Sequence, residues 1–175
     1  VSRSTSPSTR RVATATGRID FAGAQVLDVC LQDPDRDELV DVERLLDKLV
    51  RVVKAPLMID STDAKVMERA LTWCQGKSIL NSINLEDGLA RFEKVVPLGR
   101  RFGAAFVVGL IDETGMAVTV ERKLEVARRS YRILTEEMAV APEDIWWDPL
   151  VFPCGTGDEA GRARVSYGMI RNSCR

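Results

Sequence analysis

Four polar residues stand at the ends of short apolar runs, and their types define the chemistry open to this chain. Asp60 follows Leu57-Met58-Ile59, Asn81 follows Ser78-Ile79-Leu80, Asp112 follows the run 104–111, and Asp148 follows Ile145-Trp146-Trp147. Upstream, the run 25–31 carries Asp28 and Cys30. A buried strand that delivers an acid or amide to its C-terminal end has this pattern. Converging carboxylates and a carboxamide can hydrogen-bond the 2-amino-4-oxo edge of a pterin, whose adjacent N–H groups match a carboxylate in a two-point contact. Acids at a barrel mouth can equally hold Mg²⁺ through hard oxygen ligands. The bland alternative makes them ordinary strand-end, turn and cap residues: Asp63 or Thr62 reads as a helix cap, and Asp148-Pro149 as a turn. Recurrence in successive units counts against it, because barrel enzymes place their sites at those strand ends.

The elements that must position these residues read as follows. Residues 1–19 show no apolar periodicity and read as loop or disorder, with a helix end at 20–24 closed by Gly23. A strand at 25–31 leads to the turn Asp33-Pro34 and an acidic helix start, after which Leu39, Val42, Leu45, Leu46, Leu49 and Val53 recur at helical spacing. Strand 57–60 precedes a helix over 64–74, and strand 78–82 a helix over 86–102 stopped by Gly103. The strand at 104–111 lacks polar alternation, as a parallel strand buried on both faces does. A loop at 113–117, a long amphipathic helix at 119–137 and a fifth strand at 144–148 complete the pattern. Residues 161–175 support only a weak helix.

Parallel strands with intervening helices mean an α/β fold, either an open doubly wound sheet or a (β/α)₈ TIM barrel. The first strand is followed by no glycine-rich phosphate fingerprint, and the polar residues end successive strands; both favour the barrel. A full barrel needs eight strands and about 250 residues. This chain has 175 residues and about five β/α units. Either the sheet is open or the barrel is partial.

Composition removes several classes. There is no histidine, so Ser-His-Asp and Cys-His arrangements and histidine-based zinc sites are absent from the chain. The net charge of -1 leaves no electrostatic footprint for nucleic acid or an anionic membrane, and no apolar run approaches a span. Residues 1–17 lack the apolar core of a secretory signal. Cys30, Cys74, Cys154 and Cys174 are scattered singly and read as reduced thiols of a cytoplasmic protein. Cys154, beside Gly155 and Gly157, has no nearby base and reads as no nucleophile. The three tryptophans read as core or interface, and Arg100-Arg101 and Arg128-Arg129 as solvated helix faces.

The segments Gly23 to Leu31, Pro56 to Thr62, Gly76 to Asn84, Ile111 to Met116, Glu121 to Glu125, Trp147 to Leu150 and Gly155 to Asp158 together resemble the methyltetrahydrofolate-binding domain of cobalamin-dependent methionine synthases. The resemblance covers about residues 22–160 and rests on several motifs in order. It implies a partial pterin-binding barrel at 22–160, flanked by unassigned segments at 1–21 (Arg/Ser-rich) and 161–175 (basic). It implies that Asp60, Asn81 and Asp148 bind the pterin ring, that Asp112 lines the same pocket, and that Asp28 and Cys30 lie at its wall. The reaction implied is transfer of the N5 methyl group of methyltetrahydrofolate to cob(I)alamin, with cobalamin bound on another domain or chain.

The chain also departs from that family. Cys30 stands where members usually carry Asn, and a thiol is a weak hydrogen-bonding group. The first barrel strand is not visible in residues 1–19, and strands seven and eight, with the Ser-Asn segment whose Asn contacts N5, have no counterpart. An incomplete or frame-shifted reading frame with an authentic middle is one expectation, and self-association through open strand edges is another. The alternatives in function are a non-catalytic pterin-binding or scaffold fragment, and a Mg²⁺-dependent lyase on a (β/α) scaffold. Zinc and homocysteine sites are not in this sequence.

Overall fold

The structure, a computed structural model, describes residues 10–14, 17–21 and 24–151. The chain divides into two compact units, residues 1–78 and 79–175.

The first unit opens with an antiparallel hairpin of β1 (Arg10–Thr14) and β2 (Gly17–Phe21), with Val12 paired to Ile19. This corrects the expectation of loop at 10–14 and 17–19 and of a helix end at 20–21; the rest of 1–23 lies outside the described residues. β-Branched Val12, Thr14 and Ile19, with Phe21, favour extended backbone, and pairing satisfies N–H and C=O groups that no helical stripe would engage. β3 (Leu27–Cys30) and β4 (Leu57–Asp60) then pair in parallel. Between them runs α1 (Glu38–Leu49), whose N-cap Asp37 accepts from the N–H groups of Leu39 and Val40 at 3.0 and 3.2 Å. The helix stops at Leu49, short of Val53: a β-branched stretch follows it, and Pro56 demands extended chain ahead. α2 (Ala64–Leu71) is capped by Asp63, which accepts from the Lys65 N–H at 2.8 Å. Val42, Leu46 and Leu49 of α1 are buried, as are Val66, Met67, Ala70 and Leu71 of α2. Val29, Leu57 and Ile59 join that core, and Arg69 of α2 pairs with Glu43 of α1.

In the second unit, β6 (Ala105–Asp112) pairs in parallel with β5 (Ile79–Leu85) and with β8 (Ile145–Asp148). β5 runs three residues past its expected end at 82, and α3 (Ala90–Phe102) starts at 90 rather than 86. The Asn84 side chain accepts the Glu86 N–H at 3.1 Å, and Gly88, at φ 63, completes the turn that delays the helix. Gly103 ends α3 in the left-handed conformation, as its position predicted. α3 packs on β6 through Gly99, where a Cβ would lie 2.2 Å from the Phe106 ring. The segment read as a loop at 113–117 contains β7 (Gly115–Met116), which folds back antiparallel on β6. α4 (Val120–Arg132), capped by Thr119, continues through a π-helical turn at Ile133–Glu137. Leu110 of β6 forms a buried cluster with Ala117, Val126 and Ala127, against which Trp147 packs.

Strand–helix alternation with parallel neighbours makes this an α/β fold: a partial (β/α)₈ barrel of about five units, headed by β3, β4, β5, β6 and β8. No helix among the described residues is long and apolar enough to cross a membrane. The weak helix expected at 161–175, and Cys154, Gly155, Gly157 and Cys174, lie outside the described residues.

Candidate functional site

A strand presents alternate residues to opposite faces, so register decides which polar groups share a surface. In the first unit Leu27 pairs with Leu57 and Val29 with Ile59, and these build the core face. Asp28 pairs with Met58, and Cys30 with Asp60, on the other face. Cys30 and Asp60 are thus level at the C-terminal ends of neighbouring strands, with the Cys30 thiol free and exposed. Partial burial, then the charge of Asp60, push the Asp28 carboxyl above the usual aspartate value. Just past the strand ends, Gln32 donates to the Thr62 hydroxyl at 3.3 Å and ties the two following loops together.

In the second unit the helix-facing side of the sheet carries Phe106, against Gly99 of α3, and Leu110 and Trp147, against α4. Asn81 pairs with Val107, Val107 with Trp146, and Gly109 with Asp148. Asn81 and Asp148 therefore share the face that points away from the helices, together with Trp146, which is 42% exposed. Trp147 is core, as read from the sequence; Trp146 is surface on the polar side. The Asp148 carboxylate also accepts the Leu150 N–H at 2.9 Å, so its turn-forming role and its place on the open face coexist.

Asp112, expected to line the pocket, has close partners of its own. It pairs with Leu85 on the helix-facing side and is only 3% exposed. Its carboxylate accepts the Thr114 N–H at 3.1 Å and the Thr114 hydroxyl at 2.8 Å, and it forms an ion pair with Arg122 of α4. Burial pushes its pKa up, but the Thr114 hydrogen bonds and the Arg122 guanidinium outweigh that and hold it below the usual value. These partners take three of the carboxylate's roughly four acceptor sites. Asp112 locks the β6–β7 turn to α4. Arg129, read as part of a solvated face, likewise grips Glu113 with two 2.7 Å bonds.

Lys123 escaped the sequence reading. It is 1% exposed, and burial draws its ammonium group below the ordinary lysine pKa while the nearby charge of Asp148 opposes that pull. The signal was present: Lys123 lies three residues after Val120 and four before Ala127, on the apolar stripe of α4. Arg91 also escaped it, donating to the Ser82 carbonyl from Nε and Nη2.

Among the described residues, no three His, Cys, Asp or Glu side chains converge as a metal would require, so the Mg²⁺ reading finds no ligand set there. A cavity of about 660 Å³ in the first unit, lined by Val53, Pro56, Leu57, Cys74, Lys77 and Ser78 among others, opens at the N-terminal end of β4. That is the far end of the strand from Asp60.

The profile of the family described as pterin binding enzyme matches residues 7–167. The chain belongs to the pterin-binding enzyme family. This family is one of TIM barrels, in agreement with the alternating units seen here. Among curated relatives of this pterin-binding chain, the methionine synthase of Mycobacterium leprae (strain TN) is 38% identical over 143 residues. Those residues cover 80% of this chain and 12% of the relative. The pterin-binding chain therefore spans about an eighth of the length of that relative.

Proposed function

We propose that the chain binds methyltetrahydrofolate and presents its N5 methyl group for transfer to cob(I)alamin, as part of methionine synthesis from homocysteine. The observation that carries this reading is the strand register, which sets Asn81 and Asp148 on one face of their unit, directed away from the helices. Family membership and likeness to a methionine synthase supply the ligand class. Within the first unit, Asp60 stands level with Cys30 at the end of β4.

The roles follow from the donor and acceptor inventory. A carboxylate accepts both N–H groups of the pterin's amino-pyrimidinone edge, a role suited to Asp60 and Asp148. Asn81 offers both a donor and an acceptor, and so suits an edge that carries a carbonyl beside an N–H. Buried Lys123 places positive charge near Asp148. Asp28 and Cys30 stand beside Asp60 at the wall; a thiol there forms weaker hydrogen bonds than an amide would. The N5–methyl bond can break with N5 departing as a neutral amine only when that nitrogen gains a proton or a strong hydrogen bond, and polar side chains around the ring favour this as general acid–base groups do. The corrinoid supplies the nucleophilic metal. The corrinoid would be bound on another domain or protein, as likeness to a methionine synthase suggests.

Calorimetric titration of the purified chain with methyltetrahydrofolate tests the reading, beside Asp60→Ala and Asn81→Ala. Saturable binding that either substitution abolishes is the expected result. A folded chain that shows no heat of binding would overturn it.

A further inference from the structure

Arg91 occupies the first turn of α3, where the helix dipole favours anions over cations. Its placement calls for another cause, and the hydrogen bonds provide one. The side chain turns back nine residues and donates Nε–H and Nη2–H to the main-chain carbonyl of Ser82, each at 3.2 Å. Ser82 is one of two irregular points of β5, the other lying between Ile83 and Leu85. Asn81 pairs with Val107 and Ile83 with Val108, so two steps along β5 match one step along β6 and Ser82 is the extra residue. A bulged residue drops out of the ladder and re-aims its neighbours, and its backbone groups need partners from elsewhere. The planar guanidinium fork fills that need with two donors in fixed geometry, which a lysine ammonium on a flexible stem cannot reproduce.

We infer that Arg91 is a positioning residue for Asn81: its two-point hold on the Ser82 carbonyl fixes the bulge, and with it the direction in which the Asn81 carboxamide leaves the strand. This rests on the reading that Asn81 binds the pterin. Arg91 acts through the backbone and lowers the cost of binding by setting Asn81 in place beforehand.

The experiment uses the full chain, with Arg91→Lys and, as a second variant in case that one folds poorly, Arg91→Gln. Amide hydrogen exchange on the ligand-free protein reads the hold directly. Exchange should quicken at Ile83 and Asn84 while the α4 amides keep their protection. Calorimetry with methyltetrahydrofolate reads the consequence. Losing a charged two-point contact should weaken binding about ten-fold in the Asn81 protein, and by less than about two-fold in an Asn81→Ser background. Unchanged exchange at 83–84, or the same loss in both backgrounds, would overturn the inference. A chain that binds no methyltetrahydrofolate while Arg91→Lys still quickens that exchange would instead sink the functional reading and leave the hold on the bulge standing.

Discussion

Asp28 is held above its ordinary pKa by partial burial and by the like charge of Asp60. The folded state therefore binds its proton more tightly than the unfolded state does. Stability from this group is fully present below the unfolded value of 3.8 and is lost as pH rises through the higher folded value. At neutral pH the two carboxylates repel. Asp28→Asn should accordingly raise the melting temperature at pH 7 and leave it unchanged near pH 3. An equal shift at both pH values would mean that charge is not the cause. A repelling pair on an open face is a group kept for something other than stability, which fits a binding surface.

At the scale of elements, the second unit depends on two close fits. α3 lies against β6 because Gly99 presents no side chain to the fully buried Phe106 ring. Ala at 99 gains helix propensity worth about 1 kcal/mol, yet its Cβ would stand 2.2 Å from a ring with no room to move. Overpacking of this kind costs roughly 1–3 kcal/mol and more for severe overlap. Gly99→Ala should therefore lower the midpoint of urea denaturation, and a raised midpoint would show that the ring can yield. The second fit is the turn after β6, where Asp112 engages Thr114 and Arg122, and Glu113 engages Arg129. That turn shows why single-residue reasoning fell short. Asp112 ends its strand just as Asp60 and Asp148 end theirs, but its strand register turns it toward α4.

At the scale of the whole molecule, the acid limb of the stability curve should carry the mark of that turn. The Arg129 hydrogen bonds hold Glu113 down at about 2, against an ordinary 4.5, and Asp112 is also lowered. Both contribute stability that is present above their unfolded values and is lost as pH falls through the folded ones. Denaturation midpoints should thus fall between about pH 4.5 and pH 2, and Arg129→Leu should flatten that fall. An unchanged slope in the variant would show that the pair is too solvated to matter.

Much of this was legible in the residues themselves. The span of β4, the Asp63 cap and the Gly103 stop depend on neighbours close in the chain, and the apolar runs at 57–59 and 104–111 read as buried strands. The ordered motifs likewise announced a pterin-binding barrel. Other features were hidden because they depend on partners distant in sequence. A hairpin at 10–21 needs two weak segments to meet, and the bulge at Ser82 appears only when β5 is laid beside β6. The sequence alone determined that Asp60, Asp112 and Asp148 end their strands, whereas Asn81, expected at an end, lies within β5. The tertiary structure alone decided which face each one shows, turning Asn81 and Asp148 away from the helices and Asp112 toward Arg122, because one step of register reverses a side chain.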